Sequence, residues 1–282
     1  MSTPAIRTEG LTFVYESQGT TALDGLDLCV QRGEFVGIIG ENGAGKTTLL
    51  KNLVGLLRPT AGKVWIEGQD ASQLAVSELA IRIGFVLQNP DQQLFAPTVE
   101  EEIAFGLRNL RLDRGEIRQR VDRAIAATGL DAVRGQFPPA LPKGDRAKVV
   151  IASVLAMQPR ILILDEPTTG QDYKGCHQIM QLARQLHREG HTLLVVTHDM
   201  ALIAEYAART VVLHEGRILL DDRTADVFAR PEILRRTHVT PPQITQLSQR
   251  LPRRLALPST ALTVQEMGQH IIEKRNRRKK GE

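Results

Sequence analysis

The chain has 282 residues, 42% hydrophobic and only 4% aromatic, enough for one large domain with an appendage or two small ones, packed mainly by Val, Ile, Leu and Ala. The net charge of +4 sits at the end: the last ten residues hold six of the 36 basic side chains and two of the 32 acidic ones, so the rest is neutral, which argues against a nucleic-acid-binding core. No apolar run reaches membrane-spanning length, the opening Met-Ser-Thr-Pro-Ala lacks the features of a secretion signal, and Cys29 and Cys176 belong to no metal-spaced cluster, so a cytosolic, reduced protein is expected.

Ile6–Val14 and Ala22–Val30 alternate as two strands joined by a polar turn at Ser17–Thr20. Tyr15 closes the first strand and has two readings, a ring stacked on an adenine or an ordinary edge tyrosine. Glu34–Ile39 is a short apolar run that reads as a buried strand, and Thr48–Leu57 carries leucines at helical spacing. Between them Gly40, Glu41, Asn42, Gly43, Ala44, Gly45, Lys46 and Thr47 fit the pattern G-x-x-x-x-G-K-[ST] without a mismatch, running into Thr48. Glycines there let consecutive backbone N–H groups turn inward around a phosphate, and the helix N-terminus adds partial positive charge. Lys46 is placed to reach β- and γ-phosphates, and the Thr47 hydroxyl to ligate Mg²⁺.

A turn at Arg58–Gly62 leads to a strand over Lys63–Glu67, a second turn at Gly68–Asp70 and a short helix over Ser77–Arg82. Ile83–Leu87 is apolar and ends in Gln88, a polar side chain at a strand end, where open α/β sheets hold ligands. Asn89–Pro97 has two prolines and no period, and reads as an exposed, irregular loop. Thr98 caps a helix with acids in its first turn, extending to about Leu110, and Asp113–Thr128 forms another that stops before Gly129. Residues 89 to about 140 are therefore a mostly helical insertion. After Ala140–Lys148 comes a helix-like stretch to Met157, then Arg160–Pro167, four aliphatics leading to Asp165 and Glu166, the pattern of a buried parallel strand with charge at its C-terminal end. A helix follows over about Asp172–Arg188, then a buried strand Thr192–His198 and a hairpin of Thr210–His214 with Arg217–Leu220. From Pro231 the pattern weakens. Pro241-Pro242 breaks it, and two short amphipathic pieces precede the basic run Lys274–Lys280. That run is suited to anionic lipid headgroups, but the favoured reading is a solvated, frayed terminus.

Several strands thus end in a functional group, and one edge of a parallel sheet would collect them around a triphosphate. Asp165 suits Mg²⁺ coordination and Glu166 suits general-base work on the γ-phosphate. Gln88 suits contact with Mg²⁺ and the attacking water, and His198 a bond to the γ-phosphate. Singly, each has a plainer reading, such as a helix cap or a structural histidine; four such strand ends in one chain make coincidence a poor account.

On these residues the chain resembles the ATP-binding cassette (ABC) ATPases over about Ile6–Phe228. Gly40–Thr47 matches their Walker A motif, Ile161–Glu166 Walker B, Gln88 the Q-loop, Gly170, Gln171 and Asp172 the D-loop, His198 the switch histidine and Tyr15 the adenine-stacking aromatic. Gln88–Phe95 followed by Thr98–Gly106 is similar to the A-component ATPases of energy-coupling factor (ECF) importers of vitamins and metals. The resemblance implies an α/β P-loop NTPase of ABC type. It would have a parallel core sheet, an N-terminal antiparallel β-subdomain and a helical subdomain at about 89–157, all within 1–232. A small helical C-terminal extension with a basic, disordered tail would occupy 233–282.

It further implies an Mg²⁺-dependent ATPase, peripheral on the cytoplasmic face of the membrane. Its partners would be a second ABC subunit, identical or related, and membrane-embedded transporter subunits met through the region after Gln88. No nucleic-acid partner is expected. Asp91 and Glu100–Glu102 are the candidate acidic coupling surface, or equally a solvated helix N-terminus. The alternatives are a subunit of another ABC importer, a soluble ABC ATPase outside transport, and a non-hydrolysing regulatory subunit. One departure matters: where the family has Leu-Ser-Gly-Gly-Gln, this chain has Leu141, Pro142, Lys143, Gly144 and Asp145. Pro142 lacks both hydroxyl and N–H, and Asp145 adds negative charge near a triphosphate bound by the opposite subunit. The expectation is an asymmetric dimer, in which this subunit's own catalytic set is completed by a partner's better signature.

Overall fold

The structure is a computed structural model and describes residues 3–16 and 19–279. Strands β1 (Ile6–Tyr15) and β2 (Thr20–Val30) pair antiparallel, Ile6 opposite Val30 and Tyr15 opposite Thr20; of the turn expected between them, residues 17 and 18 lie outside those described. β3 (Phe35–Gly40) enters the centre of a second sheet, and α1 (Lys46–Leu53) follows its glycine-rich turn. The helix is shorter than its leucine pattern predicts, because Gly55 takes a left-handed φ of 76° that ends it. β4 (Ala61–Ile66) joins β1, and β5 (Gln69–Asp70) pairs with β4 where the sequence predicts only a turn.

After α2 (Val76–Arg82) and β6 (Ile83–Val86) come α3 (Val99–Asn109), α4 (Arg114–Thr128) and α5 (Lys143–Ala156). The caps are those the sequence announces. Thr98 accepts from the Glu101 N–H, Asp113 from those of Gly115 and Glu116, and Gly129 closes α4 at φ 67°. The segment 89–97 is less exposed than expected: Pro90, Leu94 and Ala96 are buried, and Leu94 joins the core around α3 and α5. The chain continues through β7 (Ile161–Asp165), α6 (Tyr173–Arg188), β8 (Thr192–Val196), α7 (Met200–Tyr206), β9 (Arg209–His214) and β10 (Arg217–Arg223). It ends in α8 (Thr224–Phe228), α9 (Pro231–Leu234), α10 (Gln243–Arg250) and α11 (Val264–Lys279).

The sheets run β2-β1-β4-β5 and β10-β9-β3-β8-β7-β6. The first is antiparallel; in the second β9, β3, β8, β7 and β6 are parallel and β10 is an antiparallel edge. Alternation explains why the parallel strands are apolar throughout. Val36, Ile38, Ile163, Leu194 and Val196 enter one core with Leu49, Leu50 and the antiparallel sheet. Phe35, Ile39, Leu162, Leu164 and Val195 enter the other, with α3 to α7. Each fully buried aliphatic contributes about 1.5–3 kcal/mol, so both faces hold the sheet and its C-terminal edge is left for chemistry.

The C-terminal segment joins the second core through Leu234 and Val239, and Gln249 donates to the Phe228 carbonyl at 2.8 Å. The basic run, expected as a frayed and disordered tail, is instead the last turns of α11 as far as Lys279; residues 280–282 lie outside those described.

Candidate nucleotide-binding site

Between β3 and α1 the backbone takes three left-handed glycine conformations, φ 153° at Gly40, 86° at Gly43 and 98° at Gly45. Two of these glycines also have no room for a side chain. A Cβ on Gly40 would meet the Leu213 carbonyl, and one on Gly45 the Ala22 carbonyl. The loop is therefore gripped from both sheets, and the Gly216 N–H adds a bond to the Ala44 carbonyl at 3.1 Å. The Lys46 ammonium turns back on the loop and donates to the Gly40 and Glu41 carbonyls, each at 2.8 Å. Burial pulls its pKa below the ordinary value, while the Glu166, Asp165 and Glu41 carboxylates hold it up.

Strand β8 lies between β3 and β7, so Asp165 ends a strand two places from the loop. The Thr47 hydroxyl nevertheless donates to Asp165 Oδ2 at 3.3 Å. Burial pushes the Asp165 carboxyl up, and the Thr47 bond pulls it back. A hydroxyl and a carboxylate side by side are hard oxygen donors, and they fit Mg²⁺. Glu166 turns the chain at φ 49° immediately before Pro167. A residue ahead of proline is steered toward extended backbone, so this left-handed turn stores strain of roughly 1–3 kcal/mol. The turn is fixed by the Glu166 N–H bonding to the Val196 carbonyl at 2.8 Å. Glu166 Oε2 lies 2.9 Å from His198 Nδ1 and accepts from the His198 backbone N–H at 3.4 Å, the carboxylate buried and the imidazole exposed.

Tyr15 packs edge-on against Phe13, with ring centroids 4.9 Å apart, and its hydroxyl lies 3.2 Å from that of the buried Thr48. Asn42 and Gly43 are exposed at the loop tip. Gln88 stands two residues beyond β6, at the same end of the sheet. It is exposed, and among the described residues its side chain has no hydrogen-bond partner. Lys46, Thr47, Asp165, Glu166 and His198 are thus brought together directly, and Gln88 only by topology.

Leu141–Asp145 and Gly170–Asp172 form a second group. Among the described residues no hydrogen bond joins Leu141–Asp145 to Gly40–Thr48. Pro142 sits at the cap position of α5 and Leu141 is buried beneath it. A side chain on Gly170 would run into the Lys143 ammonium, and one on Gly144 would meet Gln171 Oε1. Asp145 is paired with Lys148 at 3.1 Å, so its charge is less exposed than the sequence suggests. Asp172 caps α6, accepting from the Gly175 N–H at 2.7 Å.

Of the acidic residues expected as a coupling surface after Gln88, three have partners within the chain. Asp91 pairs with Arg146 at 2.6 Å, Glu100 with Arg134 at 2.6 Å, and buried Glu102 accepts from the N–H groups of Phe95 and Ala96. Glu102 is buried, while the paired Asp91 and Glu100 keep 50% and 46% of their side chains exposed. The same surface also offers Phe95 and Phe105, both exposed, packed edge to face at 4.7 Å.

Two contacts were missed from sequence. Glu41, inside the glycine-rich loop, receives His214 Nδ1 at 2.8 Å and His238 Nδ1 at 2.8 Å. His214 could have been found, since Leu213 beside it is in register with Gly40; His238 carries no such signal. Gln93 also bridges the backbone around Val86.

Among the described residues no helix is long and apolar enough to cross a membrane. The ABC transporter family model matches residues 23–169. The chain is 38% identical over 270 residues to the energy-coupling factor transporter ATP-binding protein EcfA of Methanocaldococcus jannaschii, covering 95% of this chain and 96% of that one. Its fold is similar to that of cbiO1 from Clostridium perfringens, described as part of the ABC transporter complex cbiONQ, with TM-score 0.77, 36% identity and coverage of 88% and 100%. It is also similar to a dimeric ATP-binding cassette bound to ADP and Pi, with TM-score 0.70, 29% identity and coverage of 78% and 98%. The chain spans less than half the length of three further curated relatives, ABC transporter ATP-binding proteins of Caldanaerobacter subterraneus and two Methanosarcina species. A glycine-rich loop facing a strand-end carboxylate pair, and a match of near full length, place this chain in the ABC transporter family as one of its ATP-binding cassettes.

Proposed function

We propose that this chain is the ATP-hydrolysing subunit of an ECF-type importer, peripheral on the cytoplasmic side of a membrane. The observation that carries the reading is the convergence of Lys46, Thr47, Asp165, Glu166 and His198 at one sheet edge, with contacts of 3.3 Å and 2.9 Å. In this reading Lys46 leaves the Gly40 and Glu41 carbonyls for the β- and γ-phosphates, and the loop N–H groups hold the remaining oxygens. Tyr15 stacks on the adenine. Thr47, Asp165 and Gln88 hold Mg²⁺, which when bound neutralises charge on the β- and γ-phosphates. Glu166 takes a proton from the attacking water, and His198 keeps that carboxylate aimed and bonds the γ-phosphate.

A second cassette closes the site with its signature helix, since Leu141–Asp145 lies with the D-loop and not with Gly40–Thr48. Near full-length similarity to an EcfA protein supports the transporter class; a vitamin or a metal ion would be the cargo, selected by a membrane subunit. The Phe95–Phe105 pair is the proposed docking point for that subunit: a solvent-facing apolar step one loop away from Gln88. The test is purification of the tagged chain from its own cells in mild detergent. ATP turnover together with a co-purifying, strongly apolar membrane protein is expected, and Phe95→Asp should release that protein while leaving ATP binding intact. Recovery with nucleic acid, or turnover unconnected to any membrane protein, would favour a soluble ABC ATPase.

A further inference from the structure

Gln88 is a site residue without a side-chain anchor, so its aim depends on the backbone that carries it. That backbone should be loose. Among the described residues β6 is the last strand of its sheet and has β7 as its only neighbour. On its outer side the Phe85 carbonyl and the Leu87 N–H face no strand, and edge groups of this kind are left to water.

Here they are not. Gln93, five residues beyond Gln88, folds its carboxamide against that edge. Its Oε1 accepts from the Leu87 N–H at 2.8 Å and its Nε2 donates to the Phe85 carbonyl at 3.2 Å. In a parallel ladder one residue bonds the carbonyl before and the amide after its opposite number. The side chain of Gln93 thus does, around Val86, what one residue of a further parallel strand would do. It fixes the chain to Leu87, one residue past the strand and directly before Gln88. Gln93 is held in turn by its N–H on the Pro90 carbonyl at 2.9 Å, and the loop by Asn89 accepting the Asp91 N–H at 3.1 Å and by the Asp91–Arg146 pair at 2.6 Å.

We propose that Gln93 is a positioning residue for Gln88, acting as a one-residue surrogate strand that sets where the Gln88 carboxamide points. The inference rests on Gln88 serving the nucleotide and its Mg²⁺, as proposed above. Gln93 itself touches neither.

The experiment compares wild type, Gln93→Ala, Gln93→Glu, Gln88→Ala and the Gln88→Ala/Gln93→Ala double variant of the full chain. It reads kcat, KM, and ATP affinity with and without Mg²⁺, with thermal melting as a control for folding. Gln93→Ala is expected to lower kcat roughly tenfold while KM changes little, because two backbone anchors are lost and the nucleotide pocket is not. Gln93→Glu keeps an acceptor for Leu87 but turns a carboxylate on the Phe85 carbonyl, and should fall at least as far. The gain in ATP affinity on adding Mg²⁺ should shrink equally in Gln88→Ala, Gln93→Ala and the double variant. That non-additivity is what a merely stabilising role would not produce. Wild-type turnover with unchanged Gln93→Ala, or losses that multiply in the double variant, would overturn the inference. If the wild-type chain alone binds ATP without hydrolysing it, as the need for a better-equipped partner cassette would have it, the Mg²⁺ comparison decides the role of Gln93; the hydrolytic reading above falls only if the chain is also inactive together with that partner.

Discussion

The Glu166 carboxylate and the His198 imidazole meet at 2.9 Å across the ends of two neighbouring parallel strands, β7 and β8. The contact follows from register: Asp165 lies opposite Val196, so the residues just past each strand arrive at the same height. The His198 backbone N–H donates to the same Oε2 at 3.4 Å, and the imidazole is largely exposed. Glu166→Gln removes the proposed base but keeps the shape. Its turnover should fall at least about 10²-fold while ATP still binds, and ATP should then trap a dimer. Phosphate release and light scattering check both; normal turnover would remove Glu166 from the role of base.

Lys46→Ala should weaken nucleotide binding more than it weakens the fold. The ammonium makes two bonds to its own loop, to Gly40 and Glu41. With nucleotide it would trade them for charge-assisted bonds worth about 1.5–3 kcal/mol each. Titration with a fluorescent ATP analogue should show an affinity loss of at least about tenfold, with a melting temperature within a few degrees of wild type.

Pro142→Ser tests the asymmetric dimer. Pro142 occupies the cap position of α5 at ψ 148°, a conformation serine adopts readily, and serine supplies the hydroxyl and N–H that proline lacks. If the opposite nucleotide needs those donors, turnover of the chain as a homodimer should rise roughly tenfold. Vigorous turnover of the wild type alone, unchanged in Pro142→Ser, would show that no better-equipped partner is required.

Glu41 predicts a pH effect. Its carboxyl is held below the ordinary 4.5, chiefly by the His238 hydrogen bond and also by His214, with burial opposing. A folded pKa below the unfolded one gives stability that is present above the unfolded value and lost as the pH falls through the folded one. The melting temperature of wild type should therefore exceed that of His238→Ala near pH 6, and the gap should close as the pH drops below about 4.5. A gap that did not narrow at all as the pH fell below 4.5 would show that the contact is not ionic.

What could be read from sequence was local. The loop Gly40–Thr47 declares itself because its chemistry lies in eight consecutive residues, and the parallel strands because two-sided burial makes them apolar throughout. α7, seven residues directly after β8, has no counterpart among the elements expected from the sequence; Asp199 caps it. The burial of Glu102 is not legible in the sequence, because composition shows charge but not its partner, here two backbone amides. The Glu41–His238 contact joins residues 197 apart and rests on the docking of the C-terminal segment. Gln93 was in view as one polar residue of a loop, and nothing short of the backbone could show which groups it bridges.

The turned-back Lys46 has a kinetic consequence. An ammonium resting on two carbonyls of its own loop keeps the cradle spread before any guest arrives, much as a shoe tree keeps a shoe in form. Entry then requires one flexible side chain to swing, on a timescale of nanoseconds, and no rebuilding of the main chain. Capture of ATP should accordingly speed up in simple proportion to its concentration, without the plateau that a slow opening step would impose.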